Sequence, residues 1–192
     1  MCQLDTVFGE FLEEAEGGID DQTSFSDAAY KDALVEGFKR GMRGLAGGVC
    51  AVTVRDGGSI VGVTATSVTS LSMEPPSLLV SIRKSSSLLA SLRRARRFTV
   101  HILAEGQTRE ADAFAGRLGT APRETLVEWE PSTGECQRLA RSTYHIDCRA
   151  MRFIPLFSHA IVVGVVSGVE TGPAKAPLVY FDGRYHQIAR AD

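Results

Sequence analysis

Strands that follow one another without an intervening helix constrain this chain more than any other feature. VCAVTV (49–54) is short and β-branched, Asp56-Gly57-Gly58 is a turn signal, and IVGVTATSV (60–68) runs on beyond it, which predicts a hairpin. Pro75-Pro76 breaks the chain ahead of SLLVSIR (77–83), a buried strand. RFTVHIL (97–103), TYHIDCRAMRFI (143–154) and HAIVVGVVSGVE (159–170) supply further strands, and PLVYFDGRYHQI (177–188) reads as a hairpin or a strand with a Gly turn. A parallel doubly wound sheet needs a crossover between its strands, and these strands often follow one another without a helix between them. The pattern predicts a mainly β fold, an antiparallel barrel with helices outside it or in its gaps, whose closure removes the strand edges.

Helices are expected at three places. Asp27 can cap one over about 28–45, where Leu34, Val35, Phe38, Met42 and Leu45 form one apolar stripe before Gly47-Gly48 ends it. SSSLLASLRRA (85–95) has a serine cap and basic residues in its last turn. TREADAFAGRL (108–118) is the third.

Charge divides the chain into two parts. Residues 1–30 hold eight acids and no Lys or Arg, so the remainder carries 15 acids against 21 bases. An acidic arm over residues 1–27, partly disordered, is expected ahead of one domain over 28–192. The basic body suits a phosphorylated small molecule as well as nucleic acid, but Phe and Tyr do not cluster on one strand for base stacking, which argues against nucleic acid. No apolar run approaches the roughly 18 residues that span a bilayer, and the N-terminus carries acids where a signal peptide carries bases. A cytoplasmic protein with no membrane contact is expected. Cys2, Cys50, Cys136 and Cys148 form no C-x-x-C pair and are expected as free thiols, with no metal site.

The most informative stretch is Thr64-Ala65-Thr66-Ser67-Val68-Thr69-Ser70-Leu71-Ser72. Seven of its nine residues are small or hydroxylated, where a strand built for packing alternates bulky side chains. Hydroxyls and backbone N–H groups near a strand end suit a phosphate or a polar ring edge. A threonine-rich edge strand is the other reading. SIRKSSS (81–87) then brings Arg83, Lys84 and three serines to a helix N-terminus, an anion site by its chemistry. There is no G-x-G-x-x-G after a strand and no G-x-x-x-x-G-K-[ST], so neither a Rossmann fold nor a P-loop holds a nucleotide here.

The order LAGGVCAVTV, VGVTATSVTSLSMEPPSLLVSIRKSSS, RFTVHIL, HAIVVGVV and PLVYFDGRY resembles the flavin reductase-like family over roughly residues 34–188. The resemblance implies a split β-barrel of FMN-binding type and a homodimer. It implies NADH- or NADPH-dependent reduction of FMN or FAD, with reduced flavin passed to a separate flavin-dependent monooxygenase. By position it implies that Thr64, Ala65, Thr66, Ser67 and Ser72 form the flavin-contacting segment, and that Ser81, Lys84, Ser86 and Ser87 hold the ring edge and phosphate. Arg97 and Phe98 match an Arg-Phe pair, Gly183, Arg184 and Tyr185 match a turn beside the same pocket, and His159 matches the histidine on the nicotinamide side. Two positions depart from the family pattern: His101 stands where Asn is usual, and Ser158 precedes His159 where Asp is usual. The first departure leaves a second reading open, a flavin- or haem-binding barrel without reductase activity, accessory to a biosynthetic oxygenase.

Overall fold

A computed structural model describes residues 28–130, 137–174 and 176–188. The acidic arm, Cys2 and Cys136 lie outside the described residues. Helix α1 (Ala28–Arg43) carries the expected apolar stripe, with Leu34, Val35, Phe38 and Met42 exposed. It stops at Arg43, and Gly47–Gly48 forms a short strand, β1, where the sequence suggested only a helix end.

The strands that follow are β2 (Cys50–Asp56), β3 (Ser59–Ala65), β4 (Val68–Met73) and β5 (Pro76–Arg83). After them come α2 (Ser87–Ala95), β6 (Arg97–Ile102), α3 (Thr108–Phe114) and a 3-10 turn at Arg123–Thr125. The chain continues with β7 (Trp129–Glu130), β8 (Arg138–Leu139), β9 (Tyr144–Leu156), β10 (His159–Thr171), β11 (Leu178–Phe181) and β12 (Arg184–Gln187). Seven strands make one antiparallel sheet in the order β3-β2-β6-β9-β10-β5-β4. The closed barrel expected from the sequence is not formed: no ladder joins β3 to β4. Those edge strands are nonetheless consecutive in the chain, joined only by Thr66-Ser67. A link from Ala65 to Val68 spans at most about 10 Å, so the sheet has to curl until its two edges meet at one end.

Alternation along the strands sends each set of side chains to its own core. Val52 and Val54 of β2, Phe98 and Val100 of β6, Val80 and Ile82 of β5 and Val162 of β10 share one core with Leu88, Leu89 and Leu92 of α2. Phe98 lies so close to Gly164 that a Cβ there would meet the ring at 2.5 Å, so β10 has no side chain at that point. The opposite face of the sheet packs Val49, Ala51, Leu103, Ala111, Phe114, Leu139 and Leu178. Cys50 and Cys148 are buried, and burial pushes the Cys50 thiol up to about 12.

That second face also buries a histidine pair. Thr53 Oγ1 lies 2.8 Å from His101 Nε2, and His101 Nδ1 lies 2.9 Å from His145 Nδ1. The Trp129 and His101 rings meet in a T-shaped arrangement. His145 Nε2 is buried without a partner. An added proton either turns the Nδ1···Nδ1 contact into two opposed donors or places an N–H at Nε2 with no acceptor. Burial is the first cause holding both rings below the usual histidine range, with the Arg138 charge acting in the same direction. Arg138 itself is clamped by Asp147 and Glu170, each through two short bonds.

The unfolded chain titrates these histidines near the ordinary value of about 6.5, while the folded chain binds the proton only at lower pH. Stability is therefore complete above about pH 6.5 and falls as pH drops below it. Thermal unfolding followed by circular dichroism will show a midpoint that declines from about pH 7 to pH 5, and His101→Asn will make that decline shallower.

Candidate functional site

The hydroxyl-rich stretch lies where the curled edges meet. A cleft of about 780 Å³ is lined by Val63, Thr64, Ala65, Thr66 and Ser67 at the end of β3 and its link. Ser81, Ile82 and Arg83 from β5, then Ser85, Ser86 and Ser87 at the start of α2, form the facing wall. Phe114 and Ala115 at the end of α3, Arg123, and His159 at the start of β10 complete it.

Some of these hydroxyls already hold the walls together. Thr64 Oγ1 donates to the Ala111 carbonyl of α3, and Ser67 Oγ donates to the Ser81 carbonyl at 3.1 Å. Ser86 caps α2: its Oγ accepts from Leu88 N at 3.2 Å, which leaves its own O–H to donate. Thr66, Ser81, Ser85 and Ser87 hydroxyls make no hydrogen bond among the described residues. Two cations, Arg83 and Arg123, line the cleft, and no carboxylate does among the described residues. Spare donors, positive charge and a helix N-terminus converge there, an environment for an acceptor-rich anion.

Placement separates the expected site residues. Thr64, Ala65, Thr66, Ser67, Ser81, Ser86, Ser87 and His159 share the cleft. Lys84 does not line it; its backbone N–H donates to the Ser158 carbonyl at 3.0 Å, beside Arg83. Ser72 sits in β4, where its Oγ is occupied by the backbone of Glu74. Arg97 and Phe98 were expected at the same pocket, but they border a separate cavity of about 430 Å³ with Thr53, Arg55 and Thr99. Phe98 also packs in the core with Leu88 and Leu92, while Arg97 is exposed. Gly183, Arg184 and Tyr185 form the turn and start of the β11–β12 hairpin, outside the cleft lining. Tyr185 still reaches its wall indirectly, since its hydroxyl donates to Asp112 of α3 at 3.1 Å and accepts from Arg117 at 3.2 Å. Burial, with the Asp112 hydrogen bond, pushes that phenol up to about 12.

Phe114, Ala115 and Arg123 were not foreseen. Arg123 Nη1 donates to the carbonyls of Gly62 at 2.8 Å and Phe114 at 2.9 Å, clipping α3 onto β3. Its sequence surroundings, APRETL, carry no periodic signal, and its partner on β3, Gly62, lies 61 residues away.

The comparisons with known proteins agree with this geometry. Residues 42–189 match the flavin reductase like domain. The chain belongs to that family. The 4-hydroxyphenylacetate 3-monooxygenase reductase component of Thermus thermophilus is 37% identical over 155 residues, covering 81% of this chain and 97% of that protein. An FMN reductase (NADH) of Ancylobacter novellus is 29% identical over 178 residues, covering 93% of this chain and 94% of that one. Among solved structures, the Streptomyces globisporus C-1027 NADH:FAD oxidoreductase in complex with NAD and FAD fragments superposes with a TM-score of 0.73. It is 28% identical and covers 83% of this chain and 94% of its own. In this flavin reductase family member the cleft is walled by elements that Arg123 and Thr64 fasten together.

Arg123→Ala removes two charge-assisted bonds, each worth about 1.5–3 kcal/mol when its acceptor is left unpaired. Urea unfolding will show a loss of at least about 1.5 kcal/mol, and the variant will bind FMN more weakly than the parent.

Proposed function

We propose that this protein is an NAD(P)H:flavin oxidoreductase that reduces FMN or FAD with NADH or NADPH and supplies the reduced flavin to a partner monooxygenase. One observation carries the reading: a cleft with spare hydroxyl donors, two arginines and, among the described residues, no carboxylate lies at the meeting edges of the sheet in a member of the flavin reductase family. The names of its relatives support the partner and the donor, since one is the reductase component of a monooxygenase and another an NADH-dependent FMN reductase.

The residues present fit a flavin mononucleotide moiety. Ser86 and Ser87 at the N-terminus of α2, with Arg83 beside them and Lys84 adjoining, hold the phosphate. Thr66 and Ser81 would offer hydroxyls, and Thr64, Ala65 and Ser67 their backbone, to the polar edge of the ring. Bound there, the flavin supplies the redox chemistry, accepting a hydride from the nicotinamide. The protein supplies position: His159, which shares the cleft lining, would face the nicotinamide nucleotide, and Phe114 and Ala115 would exclude water from one wall. The Gly183–Tyr185 turn acts through the Tyr185–Asp112 bond, which fixes α3.

The curled sheet with unjoined edges is read as the split barrel of the family. A homodimer accounts for the apolar side chains left exposed on the main sheet, Leu71 and Met73 of β4 and Met151, Ile154 and Leu156 of β9. Among the described residues no helix is long and apolar enough to cross a membrane, and a cytoplasmic location is proposed with it. His101, which prompted the reading without reductase activity, is buried against Trp129 and lies outside the cleft lining.

Mixing the purified protein with FMN and then NADH will oxidise NADH catalytically. A flavin that binds but is not reduced would return the non-reductase reading. Arg83→Ala will weaken FMN binding about tenfold or more by fluorescence titration, as expected for loss of a charged donor to phosphate.

A further inference from the structure

The turn between β9 and β10 places a serine against the cleft histidine. Leu156 pairs with His159 across this hairpin, so Phe157 and Ser158 form its tip. The Ser158 carbonyl accepts from Lys84 N, which pins the tip to the corner between β5 and α2. Ser158 Oγ lies 2.9 Å from His159 Nδ1. No other bond reaches the His159 ring among the described residues, so Nε2 is the nitrogen left for a ligand.

We propose that Ser158 is a positioning residue that donates its hydroxyl proton to His159 Nδ1, fixing the ring with its own proton on Nε2 as a donor to the nicotinamide nucleotide. The inference rests on His159 facing that nucleotide, as read above. A hydroxyl can donate or accept, whereas a carboxylate at this position could only accept and would draw the ring proton to Nδ1. The surroundings select donation. Arg83 faces His159 across the ladder with β5, Lys84 follows it, Arg123 lines the same cleft, and no carboxylate lines it among the described residues. The nucleotide brings carbonyl and phosphate oxygens, all acceptors, and an Nε2–H meets them directly. Ser158 thus sets which face of the imidazole chemistry the cleft presents without itself touching the ligand.

Long-range proton–nitrogen correlation spectra read the tautomer directly, and His159→Gln assigns the signals. The parent protein will show a protonated Nε2 and a hydrogen-bonded, unprotonated Nδ1, and Ser158→Asp will move the proton to Nδ1. A parent ring protonated at Nδ1 overturns the proposal. In steady-state reduction of FMN, Ser158→Ala will raise KM for NADH about three- to tenfold, the worth of one neutral hydrogen bond, and Ser158→Thr will restore it. Added to His159→Gln, Ser158→Ala will have no further effect. An effect that persists without His159, or that appears instead as lost FMN affinity in a parallel titration, overturns the proposal, as does a silent Ser158→Ala beside a damaging His159→Gln. A silent His159→Gln would remove the underlying reading of His159, and this inference with it.

Discussion

A two-residue link between opposite edges of one sheet governs this structure. β3 and β4 stand at the two ends of a seven-stranded order, yet only Thr66 and Ser67 separate them. The sheet has to curl to satisfy that link, and the curl encloses the core that α2 seals with Leu88, Leu89 and Leu92. Where the edges meet without pairing, backbone and hydroxyl groups remain unsatisfied by any ladder. A ligand site at that opening follows from topology before any particular side chain is considered.

The walls of the opening are then fixed by contacts from the other face of the sheet. Thr64 and Arg123 bind α3 to β3, and Tyr185 binds the C-terminal hairpin to α3. Beneath them lie the buried histidine pair and the Arg138–Asp147–Glu170 clamp, which depend on neutral rings and charged carboxylates respectively. The polar groups of this face are structural, while those of the cleft are largely uncommitted. That contrast distinguishes two clusters that look equally chemical in the sequence.

Much of this was legible in the sequence because the local signals agree with the global fold. The hairpin of β2 and β3, the strand β5, the serine-capped α2 and the long β9–β10 pair all announced themselves by pattern and turn residues. The hydroxyl-rich and Lys-Ser segments were correctly expected to lie near each other, because they flank one hairpin. The stretch from Thr64 to Ser72 fits a ligand-facing segment and a threonine-rich edge strand alike; Val68–Met73 is an edge strand, and its Thr and Ser residues carry no apolar alternation, as an edge with little burial need not. β7 and β8, two residues each, are too short for any periodicity. Closure of the barrel was overestimated, since pattern fixes strands and not whether the last pair joins. His101 and Arg123 were opaque for one reason. Their partners, Thr53, His145 and Gly62, lie 48, 44 and 61 residues away, and no local rule reaches that far. Arg97 and Phe98 open β6 and line a cavity separate from the cleft, a placement that depends on the sheet order and not on any local pattern.

The most direct test is a crystal structure of the protein grown with FMN. The account places the phosphate at the N-terminus of α2 beside Arg83 and the ring along Thr66-Ser67, with His159 at its rim. Flavin density in the cavity beside Arg97 instead, or a flavin that leaves the Ser81–Ser87 wall untouched, would contradict it.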